Sequence, residues 1–284
     1  MPSQTIQWFP GHMAKTRRLI TDNLKFVDVV LELLDARIPL SSRNPEIAKL
    51  CEGKKILTLL NKADMADPEA NKKWKEALGN DVLFISASTG NGMNQIYPKI
   101  REMMKEKIDR DKAKGIVNRS IKLMIVGVPN VGKSSFINRF SKKAATEVAD
   151  RPGVTRTKQW VRIAEGFELL DTPGVLWPKF EDDEVAKRLA YTGAIKDDIL
   201  DIEELCHFFL AFMRDNYPEN LTARYKIENF SELEGYEITE LIGRKRGFVV
   251  SGGEINTERA ANVIIDEFRG GLLGKVTLEL PEEE

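Results

Sequence analysis

Apolar positions after Pro10-Gly11 space as a helix over residues 13–24. Val27–Leu34 then runs almost without a polar break, the pattern of a strand buried on both faces. Asn44–Leu50 predicts a short helix, and Lys55–Leu60 a second buried strand that stops at Asn61. Pro68–Leu78 has helical spacing, Val82–Ile85 predicts a third strand ending at Ser86-Ala87-Ser88, and Met93–Lys107 predicts a helix with a charged end. Ile121–Val126 predicts a strand and Lys133–Phe140 the helix after it, followed by a hairpin of 158–164 and 167–170 around Glu165-Gly166. Strands alternating with helices predict an α/β domain with a mostly parallel sheet in three layers.

After Pro178 the alternation stops. Helical spacing recurs at roughly 183–192, 202–215, 218–225, 231–242 and 257–269, with Gly- and Pro-marked turns between most of them. Two domains are therefore expected, 1–178 and an all-helical 179–284, with no internal repeat. Charge divides at the same place. Residues 1–178 carry 30 Lys and Arg against 20 Asp and Glu, whereas 179–284 carry 13 against 24. The first part is the better electrostatic match to a polyanion. Cys51 and Cys206 fit no disulfide framework or zinc spacing, as expected in a reducing cytosol. No apolar run is long enough to span a membrane. Residues 1–24 contain no secretory apolar core, and Trp8-Phe9-Pro10-Gly11 interrupts any transit helix around Lys15, Arg17 and Arg18. A cytoplasmic protein is expected.

Three short motifs carry the chemistry. Gly127-x4-Gly132-Lys133-Ser134 follows a predicted strand and opens a predicted helix, the setting of a phosphate-binding loop. Its glycines let backbone N–H groups turn towards phosphates at the positive end of a helix. Asn130, Val131, Gly132, Lys133, Ser134 and Ser135 are expected to line the nucleotide, with Lys133 on the β- and γ-phosphates and Ser134 on Mg2+. Asn61-Lys62-Ala63-Asp64 ends a strand. There the Asp64 carboxylate can accept paired bonds from guanine N1–H and its exocyclic amine, donors that adenine lacks. Ser86 and Ala87, also at a strand end, are expected to close on the base, with the Ala87 N–H on the guanine carbonyl oxygen. Asp171-Thr-Pro-Gly174 follows the hairpin, with Asp171 expected in the metal's water shell and the Gly174 N–H on the γ-phosphate. Thr155 is the candidate second Mg2+ hydroxyl, or else an ordinary loop threonine. GTP and GDP with Mg2+ are the expected ligands.

The order of these motifs is unusual. A Ras-like P-loop GTPase runs phosphate loop, Asp-x-x-Gly, Asn-Lys-x-Asp; here the guanine reader comes first. A circular permutation is implied, with the cut just after Asp-x-x-Gly in the switch region. The helical domain then hangs from that switch, and residues 1–24 take the place of the switch helix. Where many GTPases have a water-orienting Gln after Asp-x-x-Gly, this chain has Val175, Leu176 and Trp177, which cannot polarise water. The permutation brings His12 to the same neighbourhood, and histidine suits that work near neutral pH. Packing beside Trp8 and Phe9, or a nucleic-acid contact, are the other readings of His12. Asn130 could hold a monovalent cation against the phosphates, or simply shape the loop. His207, among Phe208, Phe209 and Phe212, reads as helix packing.

Trp-Phe-Pro-Gly-His-Met at 8–13, followed by Asn-Lys-x-Asp, Ser-Ala-Ser, Gly-x-Pro-Asn-Val-Gly-Lys-Ser, Pro-Gly-x-Thr and Asp-Thr-Pro-Gly, resembles the circularly permuted ribosome-assembly GTPases. The likeness is to the ribosome biogenesis GTPase A (YlqF-type) family and covers essentially the whole chain. The resemblance implies a GTPase acting late in maturation of the large ribosomal subunit and stimulated by the particle, which docks with GTP and leaves after hydrolysis. A GTP-ordered RNA-binding placeholder with incidental hydrolysis is the alternative. It further implies a catalytic role for His12, K+ stimulation through Asn130, and a monomer away from the ribosome. Its partners are the large-subunit precursor, both ribosomal RNA and proteins, and no membrane.

The family's helical domain is expected to meet ribosomal RNA, although 179–284 is acidic overall. Arg244-Lys245-Arg246 is its most compact basic cluster; Lys15, Arg17, Arg18 and the lysines of 105–122 make a second basic set, or a solvated face. If such contacts are electrostatic, RNA affinity measured across a salt series falls steeply as salt rises, because counterions are released on binding. A salt-insensitive affinity would point to protein contacts instead.

Overall fold

The computed structural model describes residues 10–116, 119–142, 160–170 and 182–281, and in its first helix the side chains from Arg17 onward. The chain divides into two compact units, Met1–Lys179 with Glu279–Glu284, and Phe180–Leu278. The first boundary falls within two residues of the break at Pro178, but Glu279 belongs with the first unit.

The described residues of the first unit form six strands: β1 (Val29–Asp35), β2 (Lys55–Asn61), β3 (Val82–Phe84), β4 (Ile121–Val126), β5 (Trp160–Ala164) and β6 (Phe167–Leu170). They lie in the order β3-β2-β1-β4-β6-β5, parallel except for the β5–β6 hairpin. Helices α1 (Pro10–Leu24) and α2 (Pro45–Leu50) cover one face. Ile20, Leu24 and Ile47 meet Val30, Met124, Val126 and Leu170 there. The opposite face takes α4 (Ile96–Met103) and α6 (Lys133–Lys142), where Tyr97 stacks on Phe140 at 4.5 Å and tilts against Phe167. The apolar runs read as strands buried on both faces are just that: every residue of β1 is buried. Glu32, inside that run, is satisfied by Thr58 Oγ1 at 3.0 Å and Arg43 at 3.1 Å, as a buried carboxylate requires.

Helix starts follow local chemistry. Asn44 caps α2 and Asp67 caps α3 (Pro68–Leu78), each side chain accepting backbone N–H bonds with proline in the first turn. The helix expected at 93–107 is instead a 3-10 turn at Met93–Gln95, then α4, then α5 (Lys105–Ala113). The Ile108 N–H still donates to the Met104 carbonyl, so the ladder continues through a bend at the buried Met104.

In the second unit α8 (Ile202–Asn216) packs against α10 (Gly235–Arg246) and α11 (Thr257–Arg269), with α7 (Asp183–Tyr191) and α9 (Pro218–Tyr225) alongside. Phe209, Leu210, Met213, Ile242, Ile264 and Phe268 form its buried centre. The expected helix 231–242 starts four residues later. A Cβ on Gly235 would lie 2.1 Å from the His207 carbonyl oxygen, so only glycine fits that crossing, and Glu234 with Glu237 forms a capping box there. His207 stacks on Tyr236 at 4.1 Å, a packing role. Burial pushes the Cys51 thiol up to about 11 and that of Cys206 up to about 12, so neither is a ready nucleophile. No helix among the described residues is long and apolar enough to cross a membrane.

Glu279 is bound into the first unit. Its carboxylate accepts from the Leu40 N–H at 2.5 Å, the Ser41 N–H at 2.9 Å and the Ser41 hydroxyl at 2.5 Å. Its backbone carbonyl accepts from the buried Trp74 indole at 3.0 Å. Glu279→Ala strands the buried Ser41 N–H and hydroxyl and the part-buried Leu40 N–H, and should cost about 2–3 kcal/mol. At that size the first unit's unfolding midpoint drops by about 5–10 °C in a thermal melt.

Candidate functional site

The parallel sheet brings the carboxyl ends of β1, β2, β3 and β4 to one edge, where open α/β sheets bind ligands. Asn61-Lys-Ala-Asp64 leaves β2, Ser86-Ala-Ser88 follows β3, and the phosphate loop leaves β4 and enters α6. Strands read first in the chain thus flank the phosphate-loop strand in space.

Side chains join the three loops. Asn61 Nδ2 donates to the Val131 carbonyl at 2.8 Å, and its Oδ1 accepts from the Ala87 N–H at 2.8 Å. Lys62 Nζ donates to the Asn130 carbonyl at 2.8 Å. Arg139, on the helix leaving the phosphate loop, donates to the carbonyls of Ala87 (2.7 Å) and Ser88. Backbone conformation fits these approaches. Gly132 has φ 98°, and a Cβ on it would sit 2.4 Å from Asn61 Nδ2, so the loop admits no side chain there. Lys62 and Asn130 both have left-handed φ, 60° and 56°.

Charge is concentrated beneath the guanine loop. Asp35, at the end of β1, accepts from the Arg37 N–H, Nε and Nη2, and lies 2.9 Å from Lys62 Nζ. Burial opposes ionisation of Asp35, but Arg37 and Lys62 hold its carboxyl well below the usual carboxylate range. Burial pulls Lys62 below the ordinary lysine range, against the attraction of Asp35. Asp64 Oδ1 is among the buried side-chain atoms with no hydrogen-bond partner among the described residues, as is the nearby Asn71 Oδ1. It belongs to the carboxylate expected to read guanine, and the two donors on that edge of the base are what such an acceptor requires.

Most of the sequence-predicted residues come together. Asn61 at the end of β2, Lys62, Asp64, Ser86, Ala87, Asn130, Val131 and Gly132 on the three loops, and Lys133, Ser134 and Ser135 in the first turn of α6 all lie at this edge. Two have partners of their own in this structure. The Ala87 N–H, expected on the guanine carbonyl, donates to Asn61 Oδ1 at 2.8 Å. Lys133 Nζ donates to the carbonyls of Gly127 (3.2 Å) and Val128 (2.7 Å), folded over its own loop. For the metal, Ser134 is exposed in the first turn of α6, where an oxygen ligand could reach Mg2+. Thr155, Asp171 and Gly174 lie outside the described residues, and of His12 only its place in the first turns of α1 is described. Sequence reasoning missed Asp35, Arg37 and Arg139. An ionisable pair closing an apolar run was the available signal for the first two; nothing local marks Arg139.

Comparison with known proteins agrees with this geometry. The family described as 50S ribosome-binding GTPase matches residues 122–242. Ribosome biogenesis GTPase A of Bacillus pumilus is 50% identical over 281 residues, covering 98% of this chain and 99% of that protein. Its namesake in Bacillus cereus is 49% identical over 282 residues, covering 98% and 95%. Among solved structures, YlqF from T. maritima is similar in its GNP-bound form (TM-score 0.65, 95% of this chain and 100% of that one) and its GDP-bound form (0.68, 94% and 100%), each at 28% identity. With 50% identity over 98% of its length, and the three converging loops in this order, the chain belongs to the ribosome biogenesis GTPase A family, the circularly permuted GTPases of ribosome assembly.

Proposed function

We propose that this GTPase acts late in maturation of the large ribosomal subunit, docking on the precursor particle with GTP bound and leaving after hydrolysis. The observation that carries the guanine-nucleotide part of the reading is the joint at the sheet edge. The guanine loop, the Ser-Ala-Ser loop and the phosphate loop are tied through Asn61, Lys62 and Arg139, with Asp64 Oδ1 left as a buried acceptor. The relatives' names support ribosome assembly; the stage and the switching cycle are our inference.

Each residue then has a physical task. Asp64 takes the guanine edge, and Asn61 with Ser86 and Ala87 keeps the loops around the base. Lys133 exchanges its carbonyl bonds for the β- and γ-phosphates, whose charge it neutralises as the leaving group develops. Backbone N–H groups from Asn130 to Ser135 cradle the phosphates at the start of α6. Mg2+, held by Ser134 with Thr155 and Asp171, would supply Lewis-acid stabilisation of the phosphate oxygens. Gly174 would read the γ-phosphate. His12 orients the attacking water in place of the absent glutamine. The amide of Asn130, whose backbone is already turned into the left-handed region, would help hold K+ beside the phosphates.

The second unit is read as the RNA-contacting part. Arg244 and Lys245 are exposed at the end of α10, whereas Arg246 lies over the Tyr225 ring and reaches Glu267 at 3.4 Å. The first two are therefore the better RNA contacts. The first unit's lysines on α5 are partly committed in the same way, Lys107 pairing with Asp28.

GTP turnover by the purified protein in potassium buffer should rise strongly when large ribosomal subunits are added. His12→Ala should keep GTP binding, lose roughly 100-fold or more of the stimulated rate, and stay trapped on the particle. No stimulation, or normal release of that variant, would favour a GTP-ordered placeholder. Exchanging potassium for sodium should slow stimulated turnover several-fold in the wild type and leave Asn130→Ala unchanged. An equal response in both proteins removes the cation from the scheme.

A further inference from the structure

Asp35 is not part of any nucleotide motif, yet its carboxylate accepts three bonds from Arg37 and faces Lys62 as well. It is 2% exposed and sits opposite Asn61 in the β1–β2 register. Oδ1 accepts from the Arg37 N–H and Nε, each at 3.0 Å, and Oδ2 from Arg37 Nη2 at 2.9 Å and Lys62 Nζ at 2.9 Å. Arg37, 1% exposed, contacts it in the fork-to-carboxylate geometry that fixes both groups. The carboxylate is therefore immobile, and its fourth bond goes to a residue of the guanine loop.

Lys62 is the residue that needs fixing. Its side chain is long, and holding it in one rotamer costs rotational entropy that a free lysine keeps. Its backbone is in the left-handed region, which non-glycine residues occupy at a cost. With one ammonium N–H on Asp35, a second donates to the Asn130 carbonyl in the phosphate loop at 2.8 Å. That carbonyl belongs to a residue whose backbone is left-handed too. A rigid anion on β1 thus aims a cation from the guanine loop at the phosphate loop.

We propose that Asp35, clamped by Arg37, is a positioning residue for guanine-nucleotide binding. It holds Lys62 against the phosphate loop, so that the base-reading and phosphate-reading loops are joined before nucleotide arrives. This rests on the reading that Lys62 belongs to the nucleotide site. The competing role for a buried ion pair is general stability, to which such pairs often contribute little. The two roles separate in a double-mutant cycle. A positioning carboxylate acts on nucleotide only through Lys62; a stabilising one acts regardless of it.

The experiment is equilibrium binding of a fluorescent GDP analogue to the full chain, as wild type, Asp35→Asn, Lys62→Met and the double variant. Asp35→Asn should weaken binding about tenfold, and in the Lys62→Met background it should change affinity by less than about twofold. Asp35→Asn should also raise KM for GTP while leaving kcat near the wild-type value, because the contact is present in ground and transition states alike. If Lys62→Met binds GDP like the wild type, Lys62 is not in the site and the proposal falls with that reading. If Lys62→Met is weak and Asp35→Asn costs the same factor in both backgrounds, the proposal alone falls. Should Asp35→Asn fail to fold because Arg37 is left as an unpaired buried charge, the Asp35→Asn/Arg37→Met pair removes both charges. That pair should show the same loss and the same dependence on Lys62.

Discussion

The structure depends most on one amide. Asn61 donates to the phosphate loop at Val131 and accepts from Ala87, so a single side chain fixes the spacing of three loops that the chain contributes from distant places. Val131 is 70 residues further along the sequence than Asn61. The amide suits this because it has a donor and an acceptor a fixed distance apart in one plane; aspartate would offer no donor and leucine neither. Gly132 is the complementary condition, since a side chain there would occupy the space Asn61 needs.

That joint also explains why the permutation is tolerated. The sheet edge is assembled by strand pairing, and β1 and β4 pair in parallel whichever of them comes first in the chain. Moving the cut changes which loop is broken and leaves the pairing intact. The guanine loop rests on β1 through the backbone bond from Ala36 to Asn61 and through Asp35, and the phosphate loop rests on the guanine loop through Asn61 and Lys62. Charge is placed sparingly: the buried ions Asp35, Arg37 and Glu32 all have oppositely charged partners.

The second unit follows a different logic, of helix faces and close crossings. Its internal fixtures are local and specific, such as Gly235 against the His207 carbonyl, or Arg269 donating to the carbonyls of Ala190 and Tyr191 and pairing with Asp197. The chain then returns at Glu279, whose carboxylate completes a loop of the first unit between β1 and α2. A boundary drawn from composition ends a domain once; here the first unit includes residues from both sides of the helical one.

The alternation of apolar runs and helical spacings located the six strands of the described residues, and the guanine and phosphate motifs were legible because their residue types are dictated by the ligand. Glycine where backbone must approach phosphate, a carboxylate for the guanine edge, and an amide at a strand end are needs that any fold would have to meet, so sequence alone discloses them. What needed the tertiary structure was everything set by partners far along the chain. The late start of α10 came from a carbonyl on α8, and the placing of Ala87's N–H came from Asn61. The roles of Asp35, Arg37, Arg139 and Glu279 are of the same kind, since their spacing in sequence carries no mark of what they touch. Local preference and ligand chemistry are written residue by residue, whereas long-range hydrogen bonds and ion pairs exist only once the sheet has brought their two ends together.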